Sequence, residues 1–167
     1  LLGLSWLEAS TISLCVICTG GFMITSDSFA SYGVLVKVAV MIFMLISATN
    51  FYLQYKVFVK REFGAIRKNE EFRFMVLFFS AVSALVLVAM FMNGRGTGNV
   101  LESVVDVLFS VVSIGTTTGF TTVDYTTGWP FIGMSLLLVV MFIGGSTGST
   151  AGGIKISRAL IVLKSML

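Results

Sequence analysis

Apolar residues along the chain form three long runs and two short ones, separated by polar or glycine-rich stretches. The long runs predict helices over about residues 34–55, 74–92 and 131–143. The first two are long enough to cross a hydrocarbon core of about 30 Å at about 1.5 Å of helical rise per residue. The third rises only about 20 Å, so it is too short for a full crossing.

The third run ends in a glycine-rich segment that predicts a broken helix. Irregular backbone persists at membrane depth only where protein or a water-filled cavity satisfies its polar groups. The alternative is a tight helix-packing face, because glycines recur here at every fourth position. The high content of glycine, serine and threonine favours a loop. Its residues are Gly144, Gly145, Ser146, Thr147, Gly148, Ser149, Thr150, Ala151, Gly152 and Gly153.

The two short runs, residues 4–17 and 101–114, cannot span a membrane. Acidic side chains lie near the start of each run, at Glu8 in the first and at Glu102 and Asp106 in the second. A cluster of threonine and glycine follows each run. This order is typical of a re-entrant helix that enters the membrane, stops midway and returns as an irregular segment.

An internal repeat relates these features at a shift of 98 residues, the separation of Thr19 from Thr117. The repeated order is a short helix, a Thr-x-Gly-Phe motif and a longer span. It predicts one incomplete unit over residues 1–57, a linker over 58–73 and one complete unit over 74–167. The aligned pairs are Glu8 with Asp106, Thr19 with Thr117, Gly21 with Gly119, Phe22 with Phe120, and Thr49 with Thr147.

The composition is that of a membrane protein, with 56% hydrophobic and only 11% charged residues among 167. Most of the eleven Lys and Arg residues fall on one predicted side, which the positive-inside rule makes cytoplasmic. They are Lys56, Lys60, Arg61, Arg67, Lys68, Arg73, Lys155, Arg158 and Lys164. The opposite side is net negative and carries Glu8, Asp27, Glu102, Asp106 and Asp124, with Lys37 and Arg95. Its carboxylates either raise the local cation concentration or, as for Asp106, pair locally.

The Thr-x-Gly-Phe motifs are the candidate ion-binding segments. A cation that loses its water needs substitute oxygens, and backbone carbonyls supply them where glycine lets successive carbonyls turn inward. The preceding helix directs its partly negative C-terminus at the same place. One such motif fits an ordinary glycine-rich loop, but two copies at matched positions favour a cation filter. The residues are Thr19, Gly20, Gly21, Phe22, Thr117, Thr118, Gly119 and Phe120.

Several other chemistries find little support. The chain has no histidine, which excludes histidine-dependent catalysis and histidine metal ligands within it. Residues 144–148 match the G-x-S-x-G motif of hydrolases, but no base accompanies them, so an intramembrane hydrolase is a distant alternative. A P-loop fails because Ile154 separates Gly153 from Lys155. Cys15 and Cys18 form a lone C-x-x-C that indicates packing. We expect no enzyme activity, no cofactor and no nucleic-acid partner.

The motifs closely resemble the Trk/Ktr/HKT superfamily of potassium transporters. Residues 110–122 with 141–158 resemble the third pore unit of Trk-type proteins, and residues 18–22 with 46–55 resemble the second. The resemblance implies an all-α membrane protein of four units around one pore, with potassium as substrate at the filter. Residues 144–153 would form the gate. Lys155 and Arg158 beside it would contribute to gating or anchor the chain at the interface.

The same resemblance implies a multi-pass protein of the bacterial inner membrane. It also implies contact with lipid, a homodimer and a cytosolic regulatory subunit that binds a nucleotide. A sodium- or potassium-coupled carrier with the same pore is the alternative to a channel-like pathway. The chain begins inside an apolar stretch without Met, so we expect an internal fragment of a longer protein.

Overall fold

A computed structural model of the chain describes residues 4–25, 28–93, 100–123 and 129–166, and these residues form helices joined by irregular segments. Within those ranges there is no β-strand. Asp27, Arg95 and Asp124, which entered the charge analysis, lie outside the described residues. The helices are α1 Trp6–Ile17, α2 Val34–Ser47, α3 Phe51–Phe58, α4 Gly64–Lys68, α5 Glu70–Met92, α6 Val100–Gly115, α7 Phe131–Ile143 and α8 Ile156–Met166.

The two short apolar runs form the helices α1 and α6. At the start of α1, the Ser5 hydroxyl accepts a hydrogen bond from the Glu8 amide at 3.3 Å, and the Glu8 carboxylate accepts one from the Ser5 amide at 2.9 Å. This reciprocal capping box fixes where α1 begins. The acidic residue at the start of this run therefore acts as a helix cap.

The helix α5 is longer than the apolar run that predicted it, because it begins at Glu70 inside the predicted linker. The Asn69 side chain caps this end by accepting a hydrogen bond from the Phe72 amide at 2.8 Å. By length and composition, α5 alone among the described helices could cross a membrane as a single helix. The bent pair of α2 and α3 adds a second candidate if it counts as one span.

The predicted continuous helix over residues 34–55 is wrong. The helix α2 ends at Ser47, and α3 starts at Phe51 after a bend of 108°. The Asn50 side chain caps α3 by accepting from the Tyr52 amide at 2.8 Å. The Gln54 amide group donates to the carbonyls of Ile46 at 2.7 Å and Thr49 at 2.9 Å. The Ile46 carbonyl also accepts from the Thr49 amide at 3.0 Å, so the carbonyls at the end of α2 are satisfied in a break that contains neither glycine nor proline.

The helix α6 lies at the centre of the fold and packs against α2, α5 and α7. Its side chains Val107, Phe109 and Val111 are almost completely buried. Phe29, from the segment after the first Thr-x-Gly-Phe motif, packs against Phe109 with ring centroids 5.1 Å apart. The second short helix is thus held on several sides, which fixes the position of the motif that follows it.

Candidate functional site

The backbone follows the same course from the preceding helix into both Thr-x-Gly-Phe motifs. In each, three consecutive backbone amides after the helix donate to the same relative carbonyls, and each of these three bonds has its counterpart 98 residues away. In the first unit these bonds are Cys18 to Leu14 at 3.1 Å, Thr19 to Val16 at 3.3 Å and Gly20 to Cys15 at 2.8 Å. In the second they are Thr116 to Val112 at 2.8 Å, Thr117 to Ile114 at 3.0 Å and Thr118 to Ser113 at 2.9 Å.

The backbone torsions repeat as well. Thr19 and Thr117 both have positive φ, at 51° and 56°, and Gly21 and Gly119 have φ of 68° and 89°. Glycine adopts such torsions freely, whereas a β-branched residue there is strained. Strain of this kind persists where the surrounding structure enforces it, and it concentrates at functional sites. Each copy thus has one strained threonine, and the two occupy the same position of the motif.

The two motifs lie directly beside each other. A Cβ atom built on Gly21 would come within 2.0 Å of the Thr118 carbonyl oxygen, so only glycine permits this approach. A Cβ on Gly119 would meet nothing within 4 Å, and glycine is favoured there by its φ alone. The structure thus brings together the two predicted filter segments, although they are distant in sequence.

The two phenylalanines of the motifs have different surroundings. Phe120 is buried, and its ring lies 4.8 Å from that of Phe29. Its carbonyl oxygen accepts a hydrogen bond from the Ser113 hydroxyl at 2.8 Å, which ties the motif back to α6. Phe22, the counterpart of Phe120, is 75% exposed. The described contacts therefore make Phe120 a packing residue behind the second motif.

Residues 144–153 form a closed loop between α7 and α8. Gly144 and Gly153 meet at its neck, where a Cβ on Gly153 would lie 2.7 Å from the Cα of Gly144. Both glycines have positive φ, at 74° and 82°. Amides beyond the neck donate back to α7, from Ile154 to Phe142 at 3.0 Å and from Lys155 to Ile143 at 2.9 Å. The predicted break in the third apolar run is present.

The loop is tied to both motifs through the two strained threonines. The Thr19 hydroxyl lies 3.0 Å from the Thr150 carbonyl oxygen and 2.7 Å from the Cys18 carbonyl oxygen, and its single proton is shared between these two acceptors. The Thr117 hydroxyl accepts from the Gly152 amide at 2.6 Å. Because Thr19 and Thr117 are counterparts in the repeat, the loop lies across the equivalent position of each unit. Residues predicted separately as filter and gate therefore contact each other.

The loop also packs on the break between α2 and α3. The Ser146 amide donates to the Ala48 carbonyl at 3.1 Å, and the Phe51 amide donates to the Gly148 carbonyl at 2.9 Å. The 98-residue shift aligns Ala48 with Ser146. Both helices that follow a Thr-x-Gly-Phe motif are therefore broken at matching positions, and the two breaks contact each other.

Lys155 and Arg158, the predicted cations beside the loop, both lie close to it. The Lys155 ammonium donates to the carbonyl of Ala151 within the loop. Arg158 lines a groove of about 910 Å³ that also contains Thr117, Gly119 and Gly153. Residues of the second motif, a glycine of the loop neck and a positive charge thus line the same groove.

Three contributors were not predicted from the sequence. Asn50 donates through its amide nitrogen to the Thr147 carbonyl at 2.6 Å, and Glu71 accepts from the Thr147 amide at 2.6 Å. Ser113 holds the Phe120 carbonyl. The 98-residue shift aligns Asn50 with Gly148 of the loop, and this alignment is a sequence signal for Asn50. Glu71 carries no such signal, because its partner is 76 residues away.

Asp106 forms an ion pair with Lys37, with 2.7 Å between the ammonium nitrogen and the carboxylate oxygen. Their side chains are only 10% and 14% exposed. The sequence left open whether Asp106 pairs locally or attracts cations. In the structure it links the central helix α6 to α2, and the two residues belong to different predicted units.

The C-x-x-C pair has a structural explanation. Cys15 and Cys18 are free cysteines and occupy the positions that Ser113 and Thr116 hold in the second unit. Cys15 supplies the carbonyl that accepts from Gly20. Across the described ranges, no cluster of three or more potential metal-binding His, Cys, Asp or Glu side chains exists.

Comparison with known proteins gives consistent matches over nearly the whole chain. A family model described as TrkH, cation transport protein, matches residues 4–167. The chain is 32% identical over 164 residues to the Trk system potassium uptake protein TrkH of Halomonas elongata, covering 97% of this chain and 33% of that protein. It is 35% identical over 165 residues to the protein of that name from Escherichia coli K12, with the same coverage.

The fold matches the crystal structure of the potassium transporter TrkH from Vibrio parahaemolyticus with a TM-score of 0.91 and 30% identity. This match covers 96% of the present chain and 35% of the other. The chain thus spans about a third of the length of its relatives. The predicted fold class, an all-α membrane protein with repeated pore-helix units and a broken last helix, is confirmed. The chain belongs to the TrkH family of cation transport proteins.

Proposed function

We propose that the chain forms part of a membrane pathway for potassium ions, with the two Thr-x-Gly-Phe motifs as half of its selectivity filter. The observation that carries this proposal is the matched geometry of the motifs. Both follow a short helix, repeat the same positive φ values and lie side by side. The relatives from Halomonas elongata and Escherichia coli are named potassium uptake proteins, and this supports a transport function without enzyme activity.

Selectivity would arise from carbonyl oxygens that replace the water around the ion. The eight candidate residues are those of the two motifs, 19–22 and 117–120. Positive φ at the first and third position of each motif, but not at the second and fourth, would let successive carbonyls turn toward the same side. The C-terminal ends of α1 and α6 directly precede the motifs, and their partial negative charge favours a cation there.

The remaining walls of the pathway would come from parts of the protein beyond this chain. We propose that the full protein contains four such units around one pore and lies in the bacterial inner membrane as a multi-pass protein. We also propose that it assembles as a homodimer with a cytosolic, nucleotide-binding regulatory subunit. Large apolar side chains such as Leu35, Leu77, Phe131 and Phe142 are exposed here, which fits contact with lipid or further units.

Residues 144–153 would act as the gate. The loop is joined by hydrogen bonds to Thr19 and Thr117 at the start of both filter segments. The loop is followed directly by Lys155 and Arg158. Both belong to the basic side of the protein, which the positive-inside rule makes cytoplasmic. The bond from Lys155 to the loop and the position of Arg158 in the groove support a role for both cations in gating.

Shortening the loop tests the gate. We expect that deleting residues 146–151 from the full-length protein raises potassium flux and leaves the preference over sodium unchanged. Gly144 and Gly153 already meet at the neck, so the shortened chain can close without moving α7 and α8 apart. The measurement is ion flux per folded protein in liposomes. Flux that stays level or falls in well-folded protein would defeat the gate and leave the filter assignment intact.

A further inference from the structure

All polar atoms of Thr147, in the middle of the loop, are engaged by other segments. Its amide donates to a carboxylate oxygen of Glu71 at 2.6 Å, and its carbonyl accepts from the Asn50 side-chain nitrogen at 2.6 Å. Its hydroxyl forms a hydrogen bond with the Ser157 hydroxyl. Thr147 is thus held by α5, by the break before α3 and by α8.

Glu71 and Asn50 reach Thr147 from two different elements. Glu71 lies in the first turn of α5. This helix follows the cap residue Asn69 and segment 56–68, which is rich in Lys and Arg. Asn50 caps α3 with its oxygen and binds the loop with its nitrogen, so one side chain links the α2–α3 break to Thr147. A hydrogen bond to an ionised acceptor is stronger than one between neutral groups.

We propose that Glu71 and Asn50 form a clamp on the Thr147 backbone that holds the loop in its closed position. The clamp rests on the proposed gate role of residues 144–153, and it adds how that gate is controlled. The loop cannot move away from the filter threonines until its bonds to Glu71 and Asn50 break. Because Glu71 lies in the first turn of the helix that follows segment 56–68, a displacement of that segment would pull on the loop.

The adjacent residue Glu70 provides a matched control. Its carboxylate lies 2.6 Å from the Lys164 ammonium on α8, and both side chains are largely exposed. The two glutamates have the same charge and occupy neighbouring positions in the same helical turn. Of these two glutamates, only Glu71 has a described hydrogen bond to the loop, whereas Glu70 bonds Lys164.

In the full-length protein, Glu71→Ala should raise resting potassium flux about three- to tenfold, the effect of losing one partly exposed, charge-assisted hydrogen bond. Glu70→Ala should leave flux unchanged, and Glu71→Gln, which keeps an acceptor oxygen, should lie between. Asn50→Asp should also raise flux, because it removes the donor to Thr147 but keeps the oxygen that caps α3.

Hydrogen exchange of the peptide that contains residues 146–151 provides a readout independent of transport. Glu71→Ala should reduce its protection relative to Glu70→Ala. If protection and flux remain at the control level in Glu71→Ala, while the protein lacking residues 146–151 conducts more, the clamp is overturned and the gate stands. If protection falls but neither variant conducts more, the gate itself fails and the clamp has no role in transport.

Discussion

At the scale of single residues, the ion pair between Lys37 and Asp106 connects the two units inside the fold. Both side chains are nearly buried, and the charged atoms are 2.7 Å apart. Burying a charge is costly, and removing one partner leaves the other without compensation. The counterpart of Asp106 in the first unit, Glu8, is instead satisfied by the capping box with Ser5. The repeat therefore preserves the acidic residue but changes its partner.

Breaking this pair should destabilise the full-length protein. We expect Lys37→Met to lower the free energy of unfolding by about 3–5 kcal/mol, because the Asp106 carboxylate remains buried and unpaired. The exchange of both residues, Lys37→Asp with Asp106→Lys, should recover part of the loss. Thermal unfolding in detergent measures the effect.

The exposed pair of Lys164 and Glu70 is the control for this experiment. Lys164→Met should change the unfolding temperature little, because solvent screens the pair. Equal unfolding temperatures for Lys37→Met and Lys164→Met would contradict the structural role of the buried pair.

At the scale of elements, the break between α2 and α3 is a feature that the apolar pattern of the sequence does not predict. The apolar pattern placed α1, α6 and α7 correctly, because each lies between strong polar or glycine-rich boundaries. It missed the break, because residues 47–50 contain neither glycine nor proline. The bend depends on the hydrogen bonds of Asn50 and Gln54 and on the loop packed against it, which a periodicity analysis does not detect.

Removing the cap supplied by Gln54 should weaken this break. Gln54→Leu deletes the donors to the Ile46 and Thr49 carbonyls. We expect a loss of about 1 kcal/mol in the free energy of unfolding, because the Thr49 carbonyl loses this donor while the Ile46 carbonyl keeps the bond from the Thr49 amide. Phe58→Leu, on an exposed position of the same helix, is the control. An unfolding temperature of Gln54→Leu equal to that of the control would show that these bonds do not hold the break.

At the scale of the whole molecule, two units with matching motifs place their Thr-x-Gly-Phe segments together and contact one loop. The motifs and the repeat pointed to these segments in the sequence, since glycine and threonine recur at fixed positions. They did not predict the long-range contacts, such as Gly21 against Thr118 or Glu71 against Thr147. Those contacts depend on how α5 and α6 pack, and their partners are far apart in sequence.

The central claim is that the motif backbones select potassium, and Gly119 allows the most direct test. Its φ of 89° disfavours any side chain, by about 1–3 kcal/mol of strain, but a Cβ there would meet no atom within 4 Å. Gly119→Ser should therefore fold and alter only the direction of the filter carbonyls. Gly33→Ser is the matched control, because Gly33 has φ of −65° and equally open surroundings.

The measurement is competition between potassium and sodium for uptake by the full-length protein, in cells without other potassium uptake. We predict that Gly119→Ser lowers the preference for potassium several-fold, while Gly33→Ser keeps the original preference. The same preference in both variants, at normal amounts of folded protein, would contradict the assignment of this segment as the filter.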